Sequence, residues 1–181
     1  MTFAELMKTR QSVRQYDPRP VEPEKLKRLI EAVRLSPSAS NSQPWKLVVV
    51  DEPGLREQVA HATFSPAAAF NRFSLGAPAI VVFCIEKAGL VTQIGGFLKN
   101  RPFSLIDIGI AAAHFCLQAA ELGLGTCMLG WFDEKKIKGL LGIPGATRIG
   151  LLVTLGYPAA NDRLREKSRK AAGLMSRFNR Y

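Results

Sequence analysis

Between Leu105 and Leu122 the chain carries apolar residues around most of a helical circumference, and Asp107, Ala111, His114, Gln118 and Glu121 make only a narrow stripe. Surface helices are apolar on one side, so a helix of this composition is buried on several sides. It is either the central helix of the core or one that also packs on another subunit, and the residues alone leave both open. With 181 residues, 47% of them apolar, the chain can bury one substantial core. No Pro/Ser-rich linker, charge block, internal repeat or low-complexity stretch divides it, so residues 1–181 are read as a single domain.

The remaining pattern supplies layers around that helix. Thr2 is placed to cap a helix running through Thr9, and Tyr16-Asp17-Pro18-Arg19-Pro20 enforces an extended turn. From Val21 to Leu35, Leu26, Leu29, Ile30 and Val33 recur at helical spacing, with Pro23 near the start and Pro37 just beyond the end. Strands are expected at 46–51, 79–85, 126–131 and 148–155, and further helices near 54–62 and 134–141. Gly123 and Gly142 are placed as C-terminal caps and Asp133 as an N-cap. The sum is a mixed α and β domain of about three layers.

One junction stands out for chemistry. Ser36-Pro37-Ser38-Ala39-Ser40-Asn41-Ser42-Gln43-Pro44-Trp45 puts small polar side chains and backbone amides between a helix and the β-branched run Leu47-Val48-Val49-Val50. A turn held on a rigid scaffold in this way suits a polar cofactor edge, although an ordinary Ser/Asn turn would read the same.

Composition narrows the classes. The apolar run with strand character at Ala79–Ile85 is far too short to cross a bilayer, and no apolar signal core follows the N-terminal charges, so a soluble cytoplasmic protein with no membrane partner is expected. Cys84, Cys116 and Cys127 form no CxxC pair and lie in apolar segments, the pattern of reduced, buried thiols. His61 and His114 are the only histidines, which argues against a histidine-based metal site. Residues 161–181 supply five of the ten net positive charges, and Arg10 and Arg14 form a second basic cluster. Two basic ends can converge on one phosphate. A nucleic-acid-binding module would explain the charge, but the chain lacks interleaved aromatics or a recognition motif.

The basic ends have internal order. In Arg10-Gln11-Ser12-Val13-Arg14, an extended backbone puts Arg10, Ser12 and Arg14 on one face. Lys167-Ser168-Arg169 repeats the chemistry near the other terminus. Between them, Gly123-Leu124-Gly125-Thr126-Cys127-Met128-Leu129-Gly130-Trp131 is a helix stop followed by a strand with an extra glycine, Gly130, where a flat ligand can approach the backbone.

Taken in order, these segments, with Asp107-Ile108-Gly109 and the closing Leu155-Gly156-Tyr157-Pro158, resemble the FMN-dependent nitroreductase family over nearly the whole chain. The resemblance implies an α+β fold: a three-layer α/β/α sandwich with a mixed, mainly antiparallel sheet and an extended C-terminal arm, residues 159–181, that embraces the second chain of a homodimer. It implies FMN as cofactor and NADH or NADPH as electron donor. Arg10, Ser12, Lys167 and Arg169 are expected at the phosphate and ribityl end, with Gln11 also among the cofactor-binding residues. Arg14 is expected near N1 and the C2 carbonyl of the flavin, as electrostatic support. Pro37, Ser38, Ala39 and Asn41 would approach from the second subunit, and Met128, Leu129 and Gly130 would lie along the ring. Asn71 is a further candidate contact. Where some family members carry a lysine near the flavin pyrimidine, this chain offers Arg72, Phe73 and Ser74.

No catalytic side chain is implied; flavin N5 would carry hydride from the nicotinamide to a nitroaromatic, quinone or similar electron-poor acceptor. Alternatives within the same fold are a dehalogenase, an enzyme that consumes its own flavin, or a flavin-holding protein with little turnover. The segment 86–104, with Gly95-Gly96, Phe97 and Phe103, is expected either to cover the pocket or simply to pack.

Overall fold

A computed structural model describes residues 1–86 and 101–181. Most of the expected lid segment thus lies outside the described residues. The core grows from strand β2, Ala79–Ile85, which is buried along almost its whole length. Its residues alternate between two apolar clusters: Ala79, Val81 and Phe83 face one, and Ile80, Val82 and Cys84 the other. A strand apolar on both faces needs a layer on each side, and the chain supplies them.

Four strands pair among the described residues, in the order β1 (Trp45–Val50), β2, β4 (Arg148–Gly156), β3 (Gly125–Leu129). All three ladders are antiparallel, with a bulge at Phe83/Cys84. A parallel bridge from Ser12 to Thr126 adds the N-terminal segment to the outer edge of β3. The expected α+β fold with a mixed, mainly antiparallel sheet is observed, its parallel pairing being this bridge.

On one face lie α2 (Pro23–Arg34) and the long helix α4 (Phe103–Glu121). Ile108, Ala111, Ala112, Phe115, Cys116 and Ala119 of α4 pack against Leu29, Val33, Val81, Phe83, Val153 and Leu155. The Phe115 and Phe83 rings meet edge to face at 5.7 Å. On the other face, α3 (Pro53–His61) and α5 (Glu134–Leu141) cover Ile80, Val82, Leu129 and Leu152 through Val59, Ala60 and Ile137. By length and composition alone α4 could cross a membrane, but its inner side is the centre of this core. Its opposite side leaves Leu105 and Ile106 41% and 50% exposed.

The termini of these elements follow the capping signals. Thr2 and Glu5 form a reciprocal capping box at α1 (Phe3–Thr9), and Asp133 accepts the Lys136 amide at α5. Gly142 closes α5 at φ 63°, and Gly123 follows α4 at φ 74°. The 3-10 segment Ala69–Gly76 was not expected, because no apolar period marks it; buried side-chain bonds from Asn71 and Ser74 hold it instead.

Gly125 shows how tightly the N-terminal segment is seated. A Cβ there would lie 2.6 Å from a methyl of Val13 and 2.8 Å from its Cβ, and Val13 is buried. Gly125→Ala is therefore expected to lower unfolding stability by about 1–3 kcal/mol. Adding Val13→Ala should recover part of that loss, so urea unfolding of both single variants and the double variant checks the contact; strictly additive losses would deny it.

Candidate functional site

Two polar regions emerge, at opposite edges of the sheet. The first is a corner of positive charge beside β3. Arg10 ends α1, and its carbonyl accepts a 2.6 Å hydrogen bond from Lys167 Nζ. Gln11 ties the incoming arm: its Nε2 donates to Asp162 Oδ2 and the Arg163 carbonyl, and its Oε1 accepts the Arg165 amide at 3.0 Å. Arg165 donates to the Ser12 carbonyl and pairs with Asp162 at 2.9 Å. Desolvation, followed by the charges of Arg10, Arg169 and Arg165, holds the Lys167 ammonium below the ordinary lysine range. Four cationic side chains thus crowd one corner, the composition of an anion site.

Arg165 is the member that the motif reading missed. A signal for it exists: Arg163, Arg165, Lys167 and Arg169 alternate with other residues, so an extended arm can put them on one side.

The open edge of β3 continues from this corner. Val13 N–H donates to the Thr126 carbonyl at 2.9 Å, and the Ser12–Thr126 bridge is parallel, so Arg14 falls alongside Met128. Beyond Thr126, no strand covers the outer edge of β3 among the described residues. Met128 is 44% exposed, Leu129 is buried in the core and Gly130 is exposed. A Cβ at Gly130 would meet no atom of the described residues within 4 Å, so packing among them does not account for glycine here. Burial raises the Cys127 thiol, with nearby Arg14 opposing that shift, and burial pushes Cys116 up to about 11. All three cysteines are free and buried.

Asn71 is tied to the chain that follows this edge. It is buried, and its amide nitrogen donates to the carbonyls of Thr63 and Trp131, which fixes the chain just after Gly130.

The second region is the junction before β1. Ser38 Oγ accepts the Gln43 amide at 2.9 Å, and Ala39 N–H donates to Asp107 Oδ1 at 3.1 Å. Ser40, Asn41 and Gln43 all take left-handed backbone, with φ of 51°, 52° and 45°. Three such non-glycine residues in four positions mark a strained turn, held in place by these bonds. Pro37 and Asn41 are exposed. Asp107 is buried at 2% exposure, and its Oδ2 has no hydrogen-bond partner among the described residues; neither has the buried Ser42 Oγ. His114 Nδ1 shares a 2.8 Å hydrogen bond with Ser36 Oγ beneath the junction, a structural contact.

The chain does not bring its two polar regions together. Val49, Val81, Val153 and Met128 form one row across the sheet. The junction meets β1 at Trp45, four residues from that row, about 13 Å along the strand and three strand spacings, about 14 Å, across. A cavity of about 830 Å³ belongs to neither region; it lies within the tip of the arm, lined by Leu174, Met175, Arg177 and Tyr181 among others. No group of His, Cys, Asp and Glu suited to a metal ion occurs among the described residues.

Comparison with known proteins settles the class to which this fold belongs. Residues 7–157 match the model of the nitroreductase family, and the chain belongs to that family. A solved nitroreductase family protein from Clostridium novyi NT is 31% identical, covering 88% of this chain and 87% of that one at a TM-score of 0.78. An oxygen-insensitive NADPH nitroreductase of Helicobacter acinonychis is 27% identical over 179 residues, 82% of this chain and 80% of the relative. The NADPH:FMN oxidoreductase of Vibrio harveyi, solved with NAD+, shares the fold at a TM-score of 0.79 and 23% identity, covering 98% of this chain and 77% of that one.

The charged corner makes a prediction that needs no cofactor. The folded pKa of Lys167 is below its unfolded value, so the unfolded chain holds more protons between the two, and the penalty of desolvation and crowding fades as pH rises through that window. Near neutral pH an anion should relieve it instead. Inorganic phosphate is expected to raise the melting temperature more than chloride at matched ionic strength, with a smaller increment for Lys167→Met. Equal effects of the two salts would show that the corner binds no phosphate.

Proposed function

We propose that the protein is an NAD(P)H-dependent FMN oxidoreductase, a homodimer whose two flavin sites are each built from both chains and whose acceptor is a nitroaromatic, a quinone or a similar electron-poor small molecule. The observation that carries this reading is the separation of the polar regions. The cationic corner and open β3 edge form one wall, and the junction, three strands away, is suited to a site in a second copy.

The residues fit FMN. Arg10, Arg165, Lys167 and Arg169 match a phosphate, with Ser12 beside them. The exposed backbone at Met128 and Gly130 leaves room for a flat ring. Arg14, next along that edge, would lie by the pyrimidine end, and Pro37, Ser38, Ala39 and Asn41 of the second chain would close the other side. When bound, FMN supplies the hydride chemistry linking nicotinamide and acceptor. What the chain contributes is placement and electrostatics: its cations fix the phosphate, and a guanidinium near the pyrimidine favours the electron-rich reduced form.

Dimerisation has support of its own. Leu105 and Ile106 of α4 are exposed apolar residues, and the arm ends in Leu174, Met175, Phe178 and Tyr181, which are 76%, 72%, 93% and fully exposed. These surfaces suit a second copy of the chain, with the arm embracing its partner, within a single domain of residues 1–181. A cytoplasmic location accords with three reduced thiols.

Purified protein mixed with FMN should turn yellow and bind it at one flavin per chain. Anaerobic addition of NADPH or NADH should then bleach the flavin absorbance, and a quinone should restore it. Arg14→Ala should weaken FMN and lower its reduction potential. Protein that stays colourless and binds no FMN on titration would overturn the proposal. Bleaching with neither nucleotide would restrict it to a flavin-holding protein.

A further inference from the structure

Arg14 is exposed and takes part in no salt bridge among the described residues. Its guanidinium carbon instead lies 5.7 Å from the centroid of the Phe73 ring, within range of a cation–π contact.

Both sides of that contact rest on stiff backbone. Beneath Arg14, Val13 is buried, its amide bonded to Thr126 and its carbonyl accepting the Tyr16 hydroxyl at 2.9 Å. Beneath Phe73, the fully buried Ser74 shares a 2.9 Å hydrogen bond with Thr63 Oγ1, and Asn71 is tied to Thr63 and Trp131. Phe73 itself packs against the core cluster containing Cys127 and Leu129. The ring is thus fixed, and what remains free is the arginine side chain with its several torsions. An aromatic face on that guanidinium lowers the entropy lost when the charge is held at one place.

We propose that Phe73 is a positioning residue, which holds the Arg14 guanidinium against the open edge of β3 so that the charge is already in place when the flavin pyrimidine arrives. This rests on the FMN reading given above. Segment 71–74 contributes to that end of the site an aromatic face, while Asn71 and Ser74 are turned to internal bonds. Arg14 then has its place set by a neutral ring, which leaves its charge uncompensated among the described residues and available to the ligand. An acidic partner would fix the arginine equally well but would cancel the charge.

A passive packing role for Phe73 would affect stability but not the preference for one oxidation state of the ligand, and that difference supplies the test. Dissociation constants for oxidised and reduced FMN are measured under anaerobic conditions for the wild-type chain, Phe73→Leu, Phe73→Trp, Arg14→Met and Arg14→Met/Phe73→Leu. Phe73→Leu is expected to reduce the preference for reduced FMN by about two- to fivefold. Phe73→Trp should retain it, and in the Arg14→Met background Phe73→Leu should leave it unchanged. Binding of FMN with the same preference in wild type and Phe73→Leu would overturn this inference while leaving the flavin reading intact, as would an equal effect of Phe73→Leu with and without Arg14. A wild-type chain that binds FMN in neither oxidation state would overturn both. If Phe73→Leu fails to fold, Phe73→Trp and Phe73→Tyr carry the test, and loss of the preference in both overturns the inference.

Discussion

Burial of β2 on both faces is the constraint from which the rest of the molecule follows. A strand that is apolar on both sides has to lie inside the sheet with helices above and below, and its register then places β1 on one side and β4, followed by β3, on the other. That order puts the chain's two polar constructions at opposite edges: a left-handed, hydrogen-bonded turn leading into β1, and a crowd of cations beside β3. In the proposed dimer each is one wall of a binding site, built on backbone that the core has already fixed.

The two constructions carry different costs. At the junction the cost is conformational, with three non-glycine residues at positive φ and a buried carboxylate oxygen unpartnered among the described residues. At the corner it is electrostatic, with desolvation and then the charges of Arg10, Arg169 and Arg165 depressing the Lys167 ammonium. Features that weaken a fold in isolation and cluster at polar edges are what a ligand-binding role explains. The same logic applies to the exposed apolar residues on α4 and at the arm's tip, which a single copy leaves in water.

Much of this was legible in the chain. Ala79–Ile85 and Glu134–Leu141 lie where the apolar periods put them, and Asp133, Gly123 and Gly142 act as the caps their chemistry suggests, because these are local signals. Strand β3 ends at Leu129 rather than at Trp131, since its ladder with β4 stops at Leu129 and Leu152 and the Trp131 carbonyl is taken by Asn71 instead. The apolar circumference of α4 announced multi-sided burial, and the structure divides it into a core side and an exposed side. Long-range relations were less legible. That Arg165 joins Arg10 depends on how the arm returns across some 150 positions of sequence, and that Phe73 lies under Arg14 depends on a 3-10 segment with no periodic signature. Gln11 and Asn71 illustrate the same point: their types suggest ligand contacts, while their amide nitrogens are engaged by the arm and by buried carbonyls.

The central claim is that each site takes one wall from each chain, and subunit complementation tests it most directly. One variant carries Arg10→Ala and Lys167→Ala and lacks the cationic wall; the other replaces Ser38, Ala39 and Asn41 so that the junction cannot close. Neither alone should bind FMN. Coexpressed under two affinity tags, they should form mixed dimers with one intact site each, so that about a quarter of all sites in a random mixture bind flavin. If both walls came from the same chain, no pairing could assemble an intact site, and mixed dimers as colourless as their parents would contradict the account.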